Sequence, residues 1–165
     1  MKKTRPKGRE GFEAFYNELF QERWPVLREA LLAPKQSVAR VNTFAKRSEA
    51  LNDLSPAAWC PQAYESSQPI AQPTGPEPLE YFMMDGASIL AAEALDVQSG
   101  DDVLDLCAAP GGKSLILAEK IALSGSLVAN DRSAARRGRL KRVLESYLPQ
   151  DVRERIRVTG HDATK

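Results

Sequence analysis

The chain has 165 residues, 42% apolar and 27% charged, and a formal net charge of +1. That length allows one ordinary domain with an appendage, and the composition excludes a disordered polyelectrolyte. No run approaches the ~20 apolar residues of a membrane helix, so no membrane partner is expected. Met1-Lys2-Lys3 is basic but no apolar stretch follows it, which argues against a secretory signal. Cys60 and Cys107 stand outside any metal-ligand spacing and His161 is the only histidine, so no metal site is expected.

In chain order, residues 1–9 read as a basic, disordered lead-in. Phe12, Phe15, Tyr16, Leu19 and Phe20 recur at helical steps and put an aromatic stripe on one face of a helix. That stripe is expected to pack against the following domain, with a stacking platform for bases as the alternative. Pro25 can open a second helix carrying Val26, Leu27, Ala30 and Leu31, which Pro34 stops. A further helix or irregular segment is expected over 36–50, so that 1–54 forms an N-terminal helical segment. From 55 to 80, prolines at 56, 61, 69, 73, 76 and 78 argue for a long connection without regular secondary structure. Trp59 and Tyr64 are candidates to pin it down.

Residues 81–165 read as the first half of an α/β domain. Tyr81–Met84 suggests a short strand or turn, and Asp85 caps a helix over 86–96. Val103–Cys107 is the first strand of a parallel sheet, and a helix follows Gly112. Ser126–Asn130 is the second strand, and 134–148 a helix for which Asp131 and Ser133 compete as the cap. After a short polar bridge, Arg155–Thr159 alternates as the third strand. Right-handed crossovers place the second and third strands outward on one side of the first. The 52 residues after Lys113 are expected to be too few to finish such a sheet, leaving Val103–Leu106 with an open apolar edge and uncovered faces. Weak stability, aggregation or need of a partner is expected of such a chain.

Charge is partitioned. Residues 1–50 carry 11 basic and 6 acidic side chains, residues 51–112 carry none and 10, and residues from Lys113 onward carry 12 and 6. A polyanion would therefore meet the ends of the chain rather than its middle. Arg136, Arg137, Arg139 and Arg142 on the helix after the second strand are the candidates for phosphate contacts, with a plain solvated face as the alternative.

The chemistry concentrates at strand tips. In Asp105-Leu106-Cys107-Ala108-Ala109-Pro110-Gly111-Gly112-Lys113-Ser114 an apolar strand runs into a Pro-Gly-Gly turn and a helix. Two glycines allow unusual dihedrals and let a ligand approach the backbone, and the amides at Lys113 and Ser114 can receive a carboxylate or phosphate. The spacing fits neither a Walker A loop nor the dinucleotide fingerprint, which disfavours a P-loop kinase. Asp131, 20 residues beyond Gly111, stands where a ribose diol is held in such folds, and Asp162 closes the third strand.

These segments, together with Met84-Asp85-Gly86-Ala87-Ser88 and Asn130-Asp131, resemble the NOL1/NOP2/Sun family of S-adenosylmethionine-dependent RNA (cytosine-5) methyltransferases. The likeness is greatest to its mitochondrial ribosomal-RNA members and covers nearly all of 11–165. It implies an incomplete Rossmann-like class I methyltransferase sheet of three strands behind N-terminal helices. S-adenosylmethionine is the implied cofactor, with Cys107, Ala108, Ala109, Pro110, Gly111, Gly112 and Lys113 around its methionine end. Asp131 is implied at the ribose, Asp162 near the adenine, and Arg136 also in the cofactor set. The implied partner is ribosomal RNA, with a ribosomal or accessory protein besides, in the mitochondrial matrix. In the family's reaction a cysteine thiolate adds to C6 of cytosine, C5 takes the methyl group, and a second cysteine assists release. Those cysteines belong to motifs after the fourth and fifth strands. Cys107 is neither, and is expected to be a small, mostly buried side chain of the cofactor loop. No catalytic residue is assigned, and the alternative is a catalytically inactive RNA- or ribosome-binding fragment.

Overall fold

The computed structural model describes residues 7–33, 37–121 and 124–164, so Pro34 and most of the basic lead-in lie outside the described residues. The chain divides into two compact units, 1–35 and 36–165. In the first, helix α1 (Gly8–Phe20) leads through a 3-10 turn into α2 (Trp24–Leu32), with Pro25 in the first turn, where its missing N–H leaves no bond unmade. The aromatic stripe closes on itself: Tyr16 stacks on Phe20 and on Trp24, with ring centroids 5.9 and 5.1 Å apart. The Trp24 indole donates to Glu13, which also pairs with Arg28 at 2.6 Å. Hydrogen bonds from Arg28 and then Trp24 hold the Glu13 carboxyl below its ordinary range.

The second unit begins with β-structure where a helix or a bare connection was expected. Strands β1 (Ser37–Val41), β2 (Pro56–Ala57), β3 (Cys60–Ser66) and β4 (Tyr81–Met84) form an antiparallel sheet in the order β2-β3-β1-β4. The prolines do not prevent it because of where they fall. Pro56 lies on the edge strand, and Pro61 lies beyond the β1–β3 ladder, which pairs only residues 63–66 of β3. In β1, alternation sends Val38 into a cluster with Ala63, Ile89 and Ile116 on one face, and Ala39 and Val41 against Leu51 and Tyr81 on the other. Arg40, only 6% exposed, is tolerated because its guanidinium meets Glu119 at 3.0 Å and Glu93 at 3.4 Å. Burial pushes the Glu119 carboxyl up, and Arg40 pulls it the other way.

The rest of the unit is α/β: α3 (Gly86–Glu93), β5 (Asp102–Asp105), α4 (Gly112–Ile121), β6 (Ser126–Asn130), α5 (Ala134–Tyr147), α6 (Gln150–Arg153) and β7 (Ile156–Thr159). The α3 helix is shorter than the 86–96 range, β5 ends two residues before Cys107, and the polar bridge folds as α6. Asp85 caps α3 by accepting from the Ala87 amide, and Ser133 caps α5 by accepting from the Arg136 amide. Strands β5, β6 and β7 are parallel in that order, so β5 is an edge. Leu127 and Ala129 are fully buried in a core with Leu115, Ala118, Leu140 and Leu144, which places α4 and α5 on one face. The row Leu104–Val128–Arg157 lies on the other, where Leu104 is 57% exposed. A parallel sheet is ordinarily covered on both faces; among the described residues, Leu104 and Arg157 on this face are exposed and Val128 half-buried.

The end of α5 is tied to the antiparallel sheet by Asn42, whose amide donates to the carbonyls of Leu79 and Tyr147. Phe82 meets the Tyr147 ring edge-on. Burial pushes the Tyr147 hydroxyl up to about 12. An unfolded tyrosine ionises near 10, so the neutral phenol stabilises the fold fully below pH 10, and that contribution is lost as pH rises towards 12. Denaturation midpoints across pH 8–12 are expected to fall above pH 10 in the wild type, and to fall less steeply in Tyr147→Phe.

Candidate cofactor site at the strand tips

The turn after β5 is built on Asp105. One carboxylate oxygen accepts from the Ser114 hydroxyl at 2.8 Å and the other from the Cys107 amide at 3.3 Å. Ser114 is fully buried, so this bond both satisfies its hydroxyl and clamps the turn to the first turn of α4. Asp105 was not singled out from sequence; an acid closing a strand, nine residues before a serine inside the next helix, is the signal it offers. Gly111 adopts φ +125°, and a Cβ there would lie 2.9 Å from Val143 Cγ1 and 3.3 Å from Leu140 Cδ1. A Cβ on Gly112 would lie 3.0 Å from the Phe82 ring. The glycines therefore make room for protein side chains, a packing demand that stands beside the expected approach of a ligand to the backbone.

At the tip of β6, Asp131 is 3% exposed. Its Oδ1 accepts from the Ser133 amide at 3.0 Å, and Oδ2 lies 3.3 Å from Arg136 Nη1 without a hydrogen bond among the described residues. Arg136 also donates to the Ala109 carbonyl at 2.6 Å, bridging α5 to the Pro-Gly-Gly turn. Arg137 donates to the carbonyls of Asp131 and Arg132, and Gly160 packs against its guanidinium. Two of the four arginines assigned to phosphate contacts are thus engaged at the strand tips, leaving Arg139 and Arg142 exposed and without an ion pair among the described residues. Beyond β7, Asp162 accepts from the Thr164 hydroxyl and amide, which hold its carboxyl below the usual range, and it lies 3.4 Å from Arg132.

These tips border two clefts. One, of about 550 Å³, brings together Cys107, Asp131, Arg136 and Asp162, with Leu106 and His161. The other, of about 230 Å³, is lined by Ala108, Pro110, Gly112 and Lys113 opposite Phe82 and Met84. Lys113 there donates to the Ser88 hydroxyl at 3.1 Å. Cys107 lines both. Ala109 and Gly111 line neither and serve as backbone acceptor and packing site. Cys107 is exposed and Cys60 buried, which corrects the expectation for Cys107. The reason is local: because β5 ends at Asp105, Cys107 sits in the turn and faces the mouths of the clefts.

A family described as 16S rRNA methyltransferase RsmB/F matches residues 92–165. The chain is 36% identical to the 5-cytosine rRNA methyltransferase NSUN4 of Mus musculus, over 94% of this chain and 50% of that protein. It is 31% identical to the mitochondrial tRNA (cytosine(34)-C(5))-methyltransferase of Danio rerio, over 92% of this chain and 47% of that protein. The chain is related to the NOL1/NOP2/Sun-type RNA (cytosine-5) methyltransferases. It spans about half the length of these curated relatives. A methyltransferase homolog from Pyrococcus horikoshii superposes with a TM-score of 0.70 at 24% identity, covering 95% of this chain and 53% of that one. That likeness shows the fold: an α/β architecture with N-terminal helices.

Proposed function

We propose that the chain is the cofactor-binding part of an RNA (cytosine-5) methyltransferase that takes S-adenosylmethionine and acts on mitochondrial ribosomal RNA. The observation that carries the reading is the meeting of Cys107, Asp131 and Asp162 in one cleft at the carboxyl tips of three adjacent parallel strands. The relatives, named as rRNA or mitochondrial tRNA methyltransferases, support the substrate class and a mitochondrial location.

The residues present fit the cofactor. Asp131 Oδ2 has lone pairs that no hydrogen bond among the described residues uses, and the group beside it is the Arg136 guanidinium, on a side chain 55% exposed that also donates to the Ala109 carbonyl. Asp131 would hold the ribose hydroxyls, Asp162 the adenine edge, and Lys113 in the adjoining cleft the methionine carboxylate, a charge-assisted contact. When bound, S-adenosylmethionine supplies an activated methyl group. The residues of this chain bind and orient it, and the exposed sheet face and the β5 edge are where the remainder of a class I core would pack. The thiol that attacks the pyrimidine is not one of its two cysteines: Cys60 is buried among apolar side chains, and Cys107 stands in the cofactor turn.

Thiol protection tests the reading. With a coloured aromatic disulfide, Cys107 is expected to react at least tenfold faster than Cys60, and S-adenosylmethionine to slow it in proportion to occupancy. Cys107→Ser should abolish the fast phase. A Cys107 rate indifferent to millimolar S-adenosylmethionine would count against the assignment.

A further inference from the structure

Asn130 is 4% exposed, and every donor and acceptor of its amide is used. Its Nδ2 donates to the Leu106 carbonyl at 3.1 Å and to the His161 carbonyl at 3.1 Å. Its Oδ1 accepts from the Thr159 hydroxyl at 2.9 Å and from the His161 amide at 2.8 Å. One side chain on β6 thereby joins the turn after β5 to the last residue of β7 and the loop beyond it. Backbone bonds add to the joint: the Ala108 amide donates to the Asn130 carbonyl at 2.8 Å and the Asp131 amide to the Thr159 carbonyl at 3.1 Å.

We propose that Asn130 is the positioning residue of the cleft, fixing the separation of the Cys107 turn and the His161–Asp162 loop on either side of Asp131. The inference rests on the cofactor reading above for its ligand, but not for its geometry. Only an amide meets the demand. A carboxylate of the same shape loses both donors and sets its charge against the Leu106 and His161 carbonyls. An apolar side chain leaves two carbonyls, an N–H and a hydroxyl without their part-buried partners. The bonds hold loops rather than the sheet core, so their loss loosens the cleft before it unfolds the domain.

The test compares Asn130→Ala, Asn130→Asp and the milder Thr159→Val in the full chain. Site-resolved amide hydrogen exchange, thermal melting and S-adenosylmethionine titration by calorimetry are the readouts. Both Asn130 variants are expected to speed exchange at His161 and Ala108 by tenfold or more, leaving Leu127 and Ala118 within twofold, and to weaken cofactor binding at least tenfold. Thr159→Val, which deletes one bond to the same oxygen, should give a severalfold effect at His161 and keep the fold intact if the alanine variant does not. Unchanged exchange at His161 overturns the proposal, as does a uniform rise at all core amides in step with the melting temperature. If the wild-type chain does not bind S-adenosylmethionine, the cofactor reading fails, and the exchange pattern alone still decides the role of Asn130.

Discussion

Replacing Asp131 with Asn is expected to weaken S-adenosylmethionine binding by roughly thirty- to a thousandfold, the equivalent of about 2–4 kcal/mol for a buried charge-assisted pair of hydrogen bonds. The substitution keeps the shape and the oxygen that accepts from the Ser133 amide, so the turn into α5 survives. It removes the charge that draws Arg136 and places an amide donor or a weaker acceptor where the ribose hydroxyls would meet Oδ2. Calorimetric titration of both proteins, with melting curves as the control for folding, reads the effect directly. Equal affinity in the two would take Asp131 out of the site, and the reading of the cleft would go with it.

How much of this was legible in sequence divides along a physical line. The parallel half of the fold is written in local signals. Ser126–Asn130 is an apolar strand between a glycine and an acid, and Asp85 and Ser133 mark helix starts because a short polar side chain can satisfy an orphan amide. Strand β1 carries no such signal. Its Arg40 is buried only because Glu93 and Glu119 wait on α3 and α4, 53 and 79 residues further along. The prolines around β3 misled for a related reason: proline forbids a ladder bond, and sequence does not say which residues need one.

The site divides in the same way. Asp131 and Asp162 could be placed at strand tips by counting strands, and the structure brings them to one cleft. Lys113 follows the Gly-Gly pair into the first turn of α4 and faces the neighbouring cleft instead. Asn130 and Asp105 were invisible as participants because their partners are backbone groups and a buried hydroxyl, contacts that exist only once the turns have closed.

Gly111 separates two meanings of a glycine in a cofactor turn. If it spares room for a ligand, Gly111→Ala should cost affinity and little stability. The structure gives the opposite order. The residue stands at φ +125°, a conformation that strains a side chain by roughly 1–3 kcal/mol, and the new methyl would press on Val143 and Leu140 in the core of α5 at a further cost of about 1–3 kcal/mol. The expected loss in urea denaturation is therefore roughly 2–6 kcal/mol, a large part of what a domain of this size holds. Val143→Ala removes the atom nearest the new methyl but leaves the backbone strain in place. Combined with Gly111→Ala it should cost about 1–2 kcal/mol less than the sum of the two single changes, since only the overlap is shared between them. Strict additivity would mean that the methyl finds space and that the backbone conformation alone demands glycine. A stable Gly111→Ala protein that no longer binds S-adenosylmethionine would decide for the ligand-approach reading and remove the packing one.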